Sequence, residues 1–340
     1  MPVTSMASLR PVMPPRAAML MAACLLALVA PAVQAGATDG RAWIARMNDA
    51  LARRNYDGVF VQQIGGRRET WRIVHRMRDG RMTERLISTD GSGKEYIRDG
   101  TEAVWYIPSR KAVVVEQRGR SSGYITALYG VSAETEKYYT LRSAERPVRL
   151  QGFTARLVTV EPRDELRYGY RYWIDEKNGM PVRTQLVSPG GAVVVDISFV
   201  SMTLPETVDD ELLKPDVDTT GFKWMRRETP APPNSLKVAF VPREDLLPPG
   251  FRIKYNTPQP ADAAPRTRFI ISDGIAWVSV FIEKAEEVAG SPPGMKRSEG
   301  LMQMGSSAAY TLGVAGHRIT VVGDVPPATV KAIASAVQPQ

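Results

Sequence analysis

The chain has 340 residues, with 44 Lys and Arg against 36 Asp and Glu and a single cysteine, Cys24. One cysteine excludes an intramolecular disulfide and a metal site built from several thiolates, so folding stability must come from buried apolar area. A chain of this length is expected to form two domains.

The first 35 residues are typical of a secretory signal peptide. Arg10 and Arg16 precede an uncharged run over residues 17–32, which is shorter than a bilayer span, and residues 33–35 provide a small-residue cleavage site. We expect cleavage after Ala35; the alternative is lipoprotein cleavage before Cys24, which would leave a very short apolar core. Export argues against nucleic acid as a partner, whereas an Arg-rich surface suits acidic protein segments or phosphorylated head groups.

The next segment alternates an opening helix with many short strands. Residues 39–51 place apolar side chains at helical spacing. Strands are predicted over residues 59–64, 69–76, 83–88, 95–98, 103–107, 112–117, 153–160, 166–175, 181–187 and 192–200, separated by turn residues such as Asp-Gly. Nine or ten antiparallel strands with one helix predict a curved sheet or half-barrel whose concave face the helix covers, within an α+β fold class.

The clearest strand lies at residues 167–175. Strict alternation there places Tyr168, Tyr170, Tyr172 and Ile174 on one face. Asn178-Gly179 follows and predicts a type I′ hairpin turn, which needs two residues with positive φ.

Two irregular stretches divide the rest of the chain. Residues 118–146 predict a long excursion with one or two short helices around residues 132–139. Periodicity is also lost over residues 204–235, where residues 229–233 form a Pro-rich connector that we expect to act as a hinge. We therefore divide the mature chain into a half-barrel domain at 36–222, a linker at 223–234 and a smaller α+β domain at 235–337, which has a long exposed loop over residues 286–304 and a final helix.

Few residues could support catalysis. His75 and His317 are the only histidines, and neither belongs to a catalytic or zinc-binding motif. Asp273, like other carboxylates that precede Gly, is interpreted as a turn residue. We expect no enzymatic activity, no catalytic residue, no metal site and no cofactor, and His75 is interpreted as a core or rim residue of its strand.

Several segments together are similar to the MucB/RseB family of periplasmic regulators of the envelope-stress sigma factor. They are residues 56–60, 69–76, 84–88, 167–171, 272–283 and 316–326. The resemblance implies a periplasmic protein whose N-terminal half-barrel is similar to the lipoprotein carriers LolA and LolB. It also implies binding of the periplasmic domain of an anti-sigma factor similar to RseA or MucA, protection of that domain from site-1 proteolysis, and release on sensing lipid, lipopolysaccharide or mislocalised lipoprotein.

The apolar face of the central strands is the predicted ligand site. An acyl lipid or lipopolysaccharide would contact Phe60, Trp71, Ile73, Tyr168, Tyr170, Tyr172, Val195 and Ile197. Arg167 and Arg171 are predicted at the rim, where they would meet phosphate or acidic partner groups. In the alternative, the apolar residues pack on the opening helix. A lipid or lipoprotein carrier is the alternative function, a homo-oligomer is compatible with the sequence, and a periplasmic hydrolase is disfavoured.

Overall fold

The computed structural model describes residues 40–117, 131–227, 239–258, 266–284 and 299–340. The predicted signal peptide, residues 118–130 of the excursion, the Pro-rich connector and residues 286–298 of the predicted loop lie outside the described residues. The two α-helices of the described residues are α1 (Gly40–Arg53) and α2 (Pro327–Ser335). We refer to residues 40–227 as the N-lobe and to residues 239–340 as the C-lobe.

The strands of the N-lobe are β1 (Tyr56–Ile64), β2 (Arg67–Arg78), β3 (Arg81–Ser88), β4 (Glu95–Asp99), β5 (Glu102–Ile107), β6 (Ala112–Gln117), β7 (Tyr139–Ser143), β8 (Val148–Leu150), β9 (Phe153–Pro162), β10 (Gly169–Asp175), β11 (Pro181–Val187), β12 (Val193–Thr203) and β13 (Lys223–Arg227). They form one sheet in the order β13-β6-β5-β4-β3-β2-β1-β12-β11-β10-β9-β7, with β8 paired to β9. Every pair is antiparallel except β13 with β6, which is parallel.

Helix α1 covers the face of this sheet that we call the inner face. Ile44, Met47 and Leu51 recur at helical spacing and are buried, because that stripe of the helix packs into the N-lobe core. The core includes residues from β1 at the centre of the sheet to β5 on one side and β7 on the other. The sheet therefore curves around the helix, which confirms the predicted half-barrel with a helix on its concave face.

Residues 204–222 run across the opposite, outer face. Val208 and Leu213 pack on Val74, which points away from α1. Buried Arg85 fixes this segment, since it donates to Asp216 over 2.7 Å while also pairing with Glu95 over 2.9 Å. The segment leads into β13, so the large sheet extends through residues 223–227, which the sequence assigned to the linker.

The C-lobe contains a second, smaller sheet. The strands of the C-lobe are β14 (Phe240–Pro242), β15 (Arg252–Pro258), β16 (Arg266–Ser272), β17 (Trp277–Lys284), β18 (Gly300–Met304), β19 (Ser307–Val314), β20 (His317–Gly323) and β21 (Val337–Pro339). Six of them form a sheet in the order β15-β16-β17-β20-β19-β18, and β14 pairs with β21. Helix α2 buries Val330 and Ile333 against this lobe's own core, which confirms the predicted small α+β domain.

Three local predictions differ from the structure. Gly179 has φ of 81°, but Asn178 does not have positive φ, so the turn is not type I′. It is a longer turn closed by the Gly179 amide on the Asp175 carbonyl, and a Cβ at Gly179 would lie 3.2 Å from the Arg46 carbonyl oxygen of α1. The turn is thus shaped by its contact with the helix. In addition, β7 lies inside the predicted excursion and β18 inside the predicted loop.

Candidate binding site

An apolar band crosses the inner face of the large sheet where α1 does not bury it completely. Ile64 lies opposite Val195, Val195 opposite Leu186, and Leu186 opposite Tyr170 on four neighbouring strands. All four side chains are partly buried. We call these four residues the apolar band. Ile197, two residues from Val195, packs at the edge of the N-lobe core beside it. Three predicted ligand residues, Tyr170, Val195 and Ile197, are therefore brought together.

The other predicted lining residues of this face are packed against protein. Phe60, Trp71, Ile73 and Tyr172 are buried in the core that α1 covers. Packing on the opening helix, which the sequence left open, is the arrangement observed for these four. The Tyr172 ring stacks beside Tyr170 with centroids 6.0 Å apart, and burial raises the pKa of Tyr172 well above its usual value. Its hydroxyl has no hydrogen-bond partner within the described chain.

Arg167 is buried at the junction of the two lobes instead of lying at an exposed rim. Its Nε donates to Oδ2 of Asp273 over 2.6 Å, and both side chains are 0% exposed. It also pairs with Asp164 and donates to the Pro249 carbonyl of the C-lobe. The guanidinium lies 4.8 Å from the ring centroid of Phe251. Asp273 comes 106 residues later in the chain, and its buried carboxylate holds this cation away from solvent.

Asp273 is the centre of this junction. Its Oδ1 accepts the backbone N–H groups of Ile275 and Ala276, as a turn carboxylate does, while Oδ2 accepts the Tyr139 hydroxyl over 2.9 Å. Burial, reinforced by the Asp273 charge, raises the pKa of Tyr139, so that this hydroxyl remains a donor. The side chain of Ile275 packs in the N-lobe core. The C-lobe thus contributes both a charge and an apolar side chain to the N-lobe.

Two neighbours complete the junction. Thr329 of α2 donates its hydroxyl to the Leu166 carbonyl over 2.6 Å. Tyr168, a predicted ligand residue, is buried here with a hydroxyl that has no partner among the described residues. Burial, together with the C-lobe carboxylate Asp324, raises the pKa of Tyr168.

Arg171, which was predicted at the rim, lines an open cleft. The cleft has a volume of about 390 Å³ and is lined by Arg171, Arg163, Tyr170 and the carboxylates Glu161 and Glu165 among others. Neither Arg171 nor Arg163 forms an ion pair with any other described residue. Tyr170 lines this cleft and also belongs to the apolar band. Burial and the C-lobe carboxylates Asp273 and Asp324 raise the pKa of Tyr170. The two unpaired guanidinium groups can pair with an anionic group that enters the cleft. Strand alternation points Arg171 to the face of the sheet opposite the apolar band.

Each of the two histidines contacts another group of the fold. His75 Nδ1 lies 3.2 Å from Glu84 Oε2, and its ring stacks on Tyr56 with centroids 4.4 Å apart. His317 Nδ1 lies 3.0 Å from the Ala315 carbonyl. In the described ranges, no group of three or more His, Cys, Asp or Glu side chains could hold a metal ion. No described helix is both long and apolar enough for a membrane span.

Comparison with known families accounts for both lobes. The model of the MucB/RseB N-terminal domain matches residues 39–217, and that of the MucB/RseB C-terminal domain matches residues 242–338. The chain belongs to the MucB/RseB family. It is 27% identical to the sigma factor AlgU regulatory protein MucB of Pseudomonas aeruginosa, over 92% of this chain and 94% of that protein. It is 24% identical to the sigma-E factor regulatory protein RseB of Salmonella typhimurium, over 87% and 90%.

A solved structure of this family shares the fold. The complex structure of Pseudomonas aeruginosa MucA/MucB matches with a TM-score of 0.64 at 23% identity, over 89% of this chain and 99% of that one. The relatives carry the names of regulatory proteins rather than of enzymes.

The sequence did not predict the roles of the junction residues Asp273 and Tyr139. The available signal was that segments 167–171 and 272–283 both carried the family resemblance, although nothing in either segment showed that they meet.

Proposed function

We propose that this protein is a non-enzymatic periplasmic regulator that binds the periplasmic domain of a membrane-bound anti-sigma factor in a sigma-E-type stress response. The observation that carries the proposal is the match of both MucB/RseB domain models along one chain. The complex of MucB with MucA, a relative of the same fold, supports this class of partner.

The proposal includes protection of the anti-sigma domain from site-1 proteolysis and its release by lipid, lipopolysaccharide or mislocalised lipoprotein. The apolar band supports an acyl ligand, because each methylene that it buries would contribute about 0.8 kcal/mol. Arg163 and Arg171 could meet a phosphate.

Ligand-driven release requires that lipid and anti-sigma factor favour different states of the protein, because a ligand shifts an equilibrium only by its differential affinity. The band is well placed for such coupling. Tyr170 lies in the band and comes three residues after Arg167, whose pair with Asp273 joins the lobes. We propose that an acyl chain on the band displaces Tyr170 and thereby strains the junction.

Binding is tested with the mature chain and the purified periplasmic domain of the anti-sigma factor from the same genome. We expect a stable complex by isothermal titration calorimetry, slower cleavage of that domain by the site-1 protease, and loss of the complex on addition of lipopolysaccharide. No measurable binding would refute the regulator. A complex that lipopolysaccharide leaves intact would refute only the sensing step.

The carrier alternative predicts a different result. A carrier passes cargo between acceptors and needs no anti-sigma partner, whereas here the C-lobe is joined to the N-lobe by buried contacts. Transfer of an acylated peptide between two membranes at a rate unaffected by the anti-sigma domain would favour the carrier over the regulator.

A further inference from the structure

The edge strand β18 is an open, apolar strand at one end of the C-lobe sheet. Within the described residues it pairs only with β19, in a continuous register from Gly300 to Met304. All five residues are exposed, with Met302 at 60% and Met304 at 69%. An edge of this kind offers unpaired backbone N–H and C=O groups, and proteins ordinarily protect it with Lys, Pro or a bulge. None of these three devices occurs in β18.

The strand leads directly to a contact between the lobes. Gly305 follows Met304 and has φ of +60° in the two-residue turn to β19, which suits a type II′ hairpin. A Cβ at Gly305 would lie 2.4 Å from Cγ2 of Ile64, so the tip of this hairpin rests on the end of β1. Beside it is a groove of about 390 Å³ lined by Gly305 together with residues of β1, β11 and β12, among them Gln63 and Gln185.

Two exposed arginines follow the glycine turn that borders this groove. Arg67 and Arg68 follow the Gly65-Gly66 turn, and Gly65 itself approaches Gly305. Both arginines are exposed, and neither forms an ion pair with another residue of the described chain. Arg183, which also lines the groove, is already paired with Asp196. Two free cations therefore stand at one end of an open apolar strand, which is complementary to an acidic segment that continues into an apolar one.

From this arrangement we infer that β18 and the adjoining groove bind an extended segment of the anti-sigma partner as a seventh strand of the C-lobe sheet. Main-chain hydrogen bonds to β18 supply affinity, and the side chains of Leu301, Met302 and Met304 contact alternate apolar residues of the segment. Acidic residues at one end of the segment pair with Arg67 and Arg68. This inference rests on the proposed function and names the surface that performs it.

Lysine substitutions on the open edge test this surface without disturbing a buried side chain. In the full mature chain, Met302→Lys with Met304→Lys should weaken binding of the anti-sigma periplasmic domain by about tenfold or more, equivalent to about 1.4 kcal/mol. The matched control is Val200→Lys, an apolar side chain of β12 that is 53% exposed and lies outside the groove. Binding of this control should equal that of the wild type.

Arg67 and Arg68 are tested separately. Arg67→Glu with Arg68→Glu should weaken binding and reduce its dependence on salt, whereas Arg110→Glu, at an exposed arginine distant in the sheet order, should not. Hydrogen exchange of the β18 amides should become slower in the complex.

Two outcomes would overturn the inference. Wild-type affinity of the Met302→Lys, Met304→Lys variant, with unprotected β18 amides, would place the partner elsewhere and leave the proposed function intact. Loss of a homodimer in this variant, with partner binding unchanged, would assign the edge to a second copy. If the wild type itself does not bind, the proposed function fails first.

Discussion

Arg167 and Asp273, which are 106 residues apart in the chain, form a fully buried ion pair that joins the N-lobe to the C-lobe. Neither charge can be hydrated, so each depends on the other and on the further hydrogen bonds from Tyr139 and the backbone. Removing one partner of such a pair costs more than the pair itself contributes, because the remaining charge is left buried. The pair therefore specifies one arrangement of the lobes.

Replacing Asp273 with Asn tests this pair. The variant keeps the shape of the side chain but removes the buried carboxylate, and Arg167 keeps only the partly exposed Asp164 as a counter-ion. We therefore expect the free energy of unfolding to fall by about 3 kcal/mol. Urea denaturation followed by tryptophan fluorescence measures the loss. Asp245→Asn is the control, because the pair of Asp245 with Arg243 is exposed and should contribute little. Equal stabilities of Asp273→Asn and wild type would contradict the structural role of the pair.

Gly250 tests the close packing at the same junction. Its φ is +86°, and a Cβ would lie 2.5 Å from Cε2 of Tyr138. Gly152 has φ of +88° with no atom within 4 Å of such a Cβ. Gly152→Ala should therefore cost about 1–2 kcal/mol for its backbone conformation alone, and Gly250→Ala should cost clearly more. Thermal or urea unfolding of both variants gives the difference; similar losses would mean that Tyr138 moves aside freely.

Asp196 should make stability depend on pH. Burial alone would raise its pKa, but hydrogen bonds from Arg183 and Gln185 and the Arg183 charge outweigh burial, and the net pKa is lowered from 3.8. A lowered folded-state pKa stabilises the fold above the unfolded value, and this contribution is lost as the pH falls through the folded value.

We expect Asp196→Asn to cost about 0.5–1 kcal/mol at neutral pH, because the pair is partly exposed. The difference from wild type should shrink between about pH 5 and pH 2. Urea unfolding across this range measures it. A difference that stays constant with pH would show that the charge of Asp196 is not the cause.

The apolar band is tested by two positions on β12. Val195 belongs to the band, whereas Val200 is exposed and lies outside both the band and the groove beside Gly305. Val195→Lys should reduce release of the anti-sigma domain by lipopolysaccharide several-fold, because a charge on the band opposes acyl binding. Val200→Lys should leave that release unchanged. Fluorescence anisotropy of a labelled anti-sigma domain during lipopolysaccharide titration measures both, and equal release from the two variants would exclude the band as the lipid site.

Local sequence patterns predicted the elements whose formation depends on local chemistry. Strands β6 and β11 have the predicted bounds, and the alternation of Tyr168, Tyr170 and Tyr172 led to β10. Predictions that depended on distant contacts were less successful. Arg167 was placed at the rim because nothing near it in sequence offers the buried carboxylate of Asp273. Likewise, strand β18 has no alternation of its own and forms by pairing with β19.

The candidate site shows the same division. Tyr170, Val195 and Ile197 were predicted on one face, since period-two alternation fixes the face of each strand. The sequence could not show that α1 covers the part of that face containing Phe60 and Trp71, because coverage depends on how far the helix extends over the curved sheet.

The position of Ile275 affects the order in which the two lobes can fold. This C-lobe residue completes the core of the N-lobe, and Thr329 near the end of the chain bonds to Leu166. A chain that is synthesised from its N-terminus would first present a large sheet whose core is still incomplete. The N-lobe core can be completed only after the C-lobe segment that contains Ile275 and Thr329 is present. Truncation near residue 325 should therefore give an incompletely folded, chaperone-dependent species instead of a functional N-lobe.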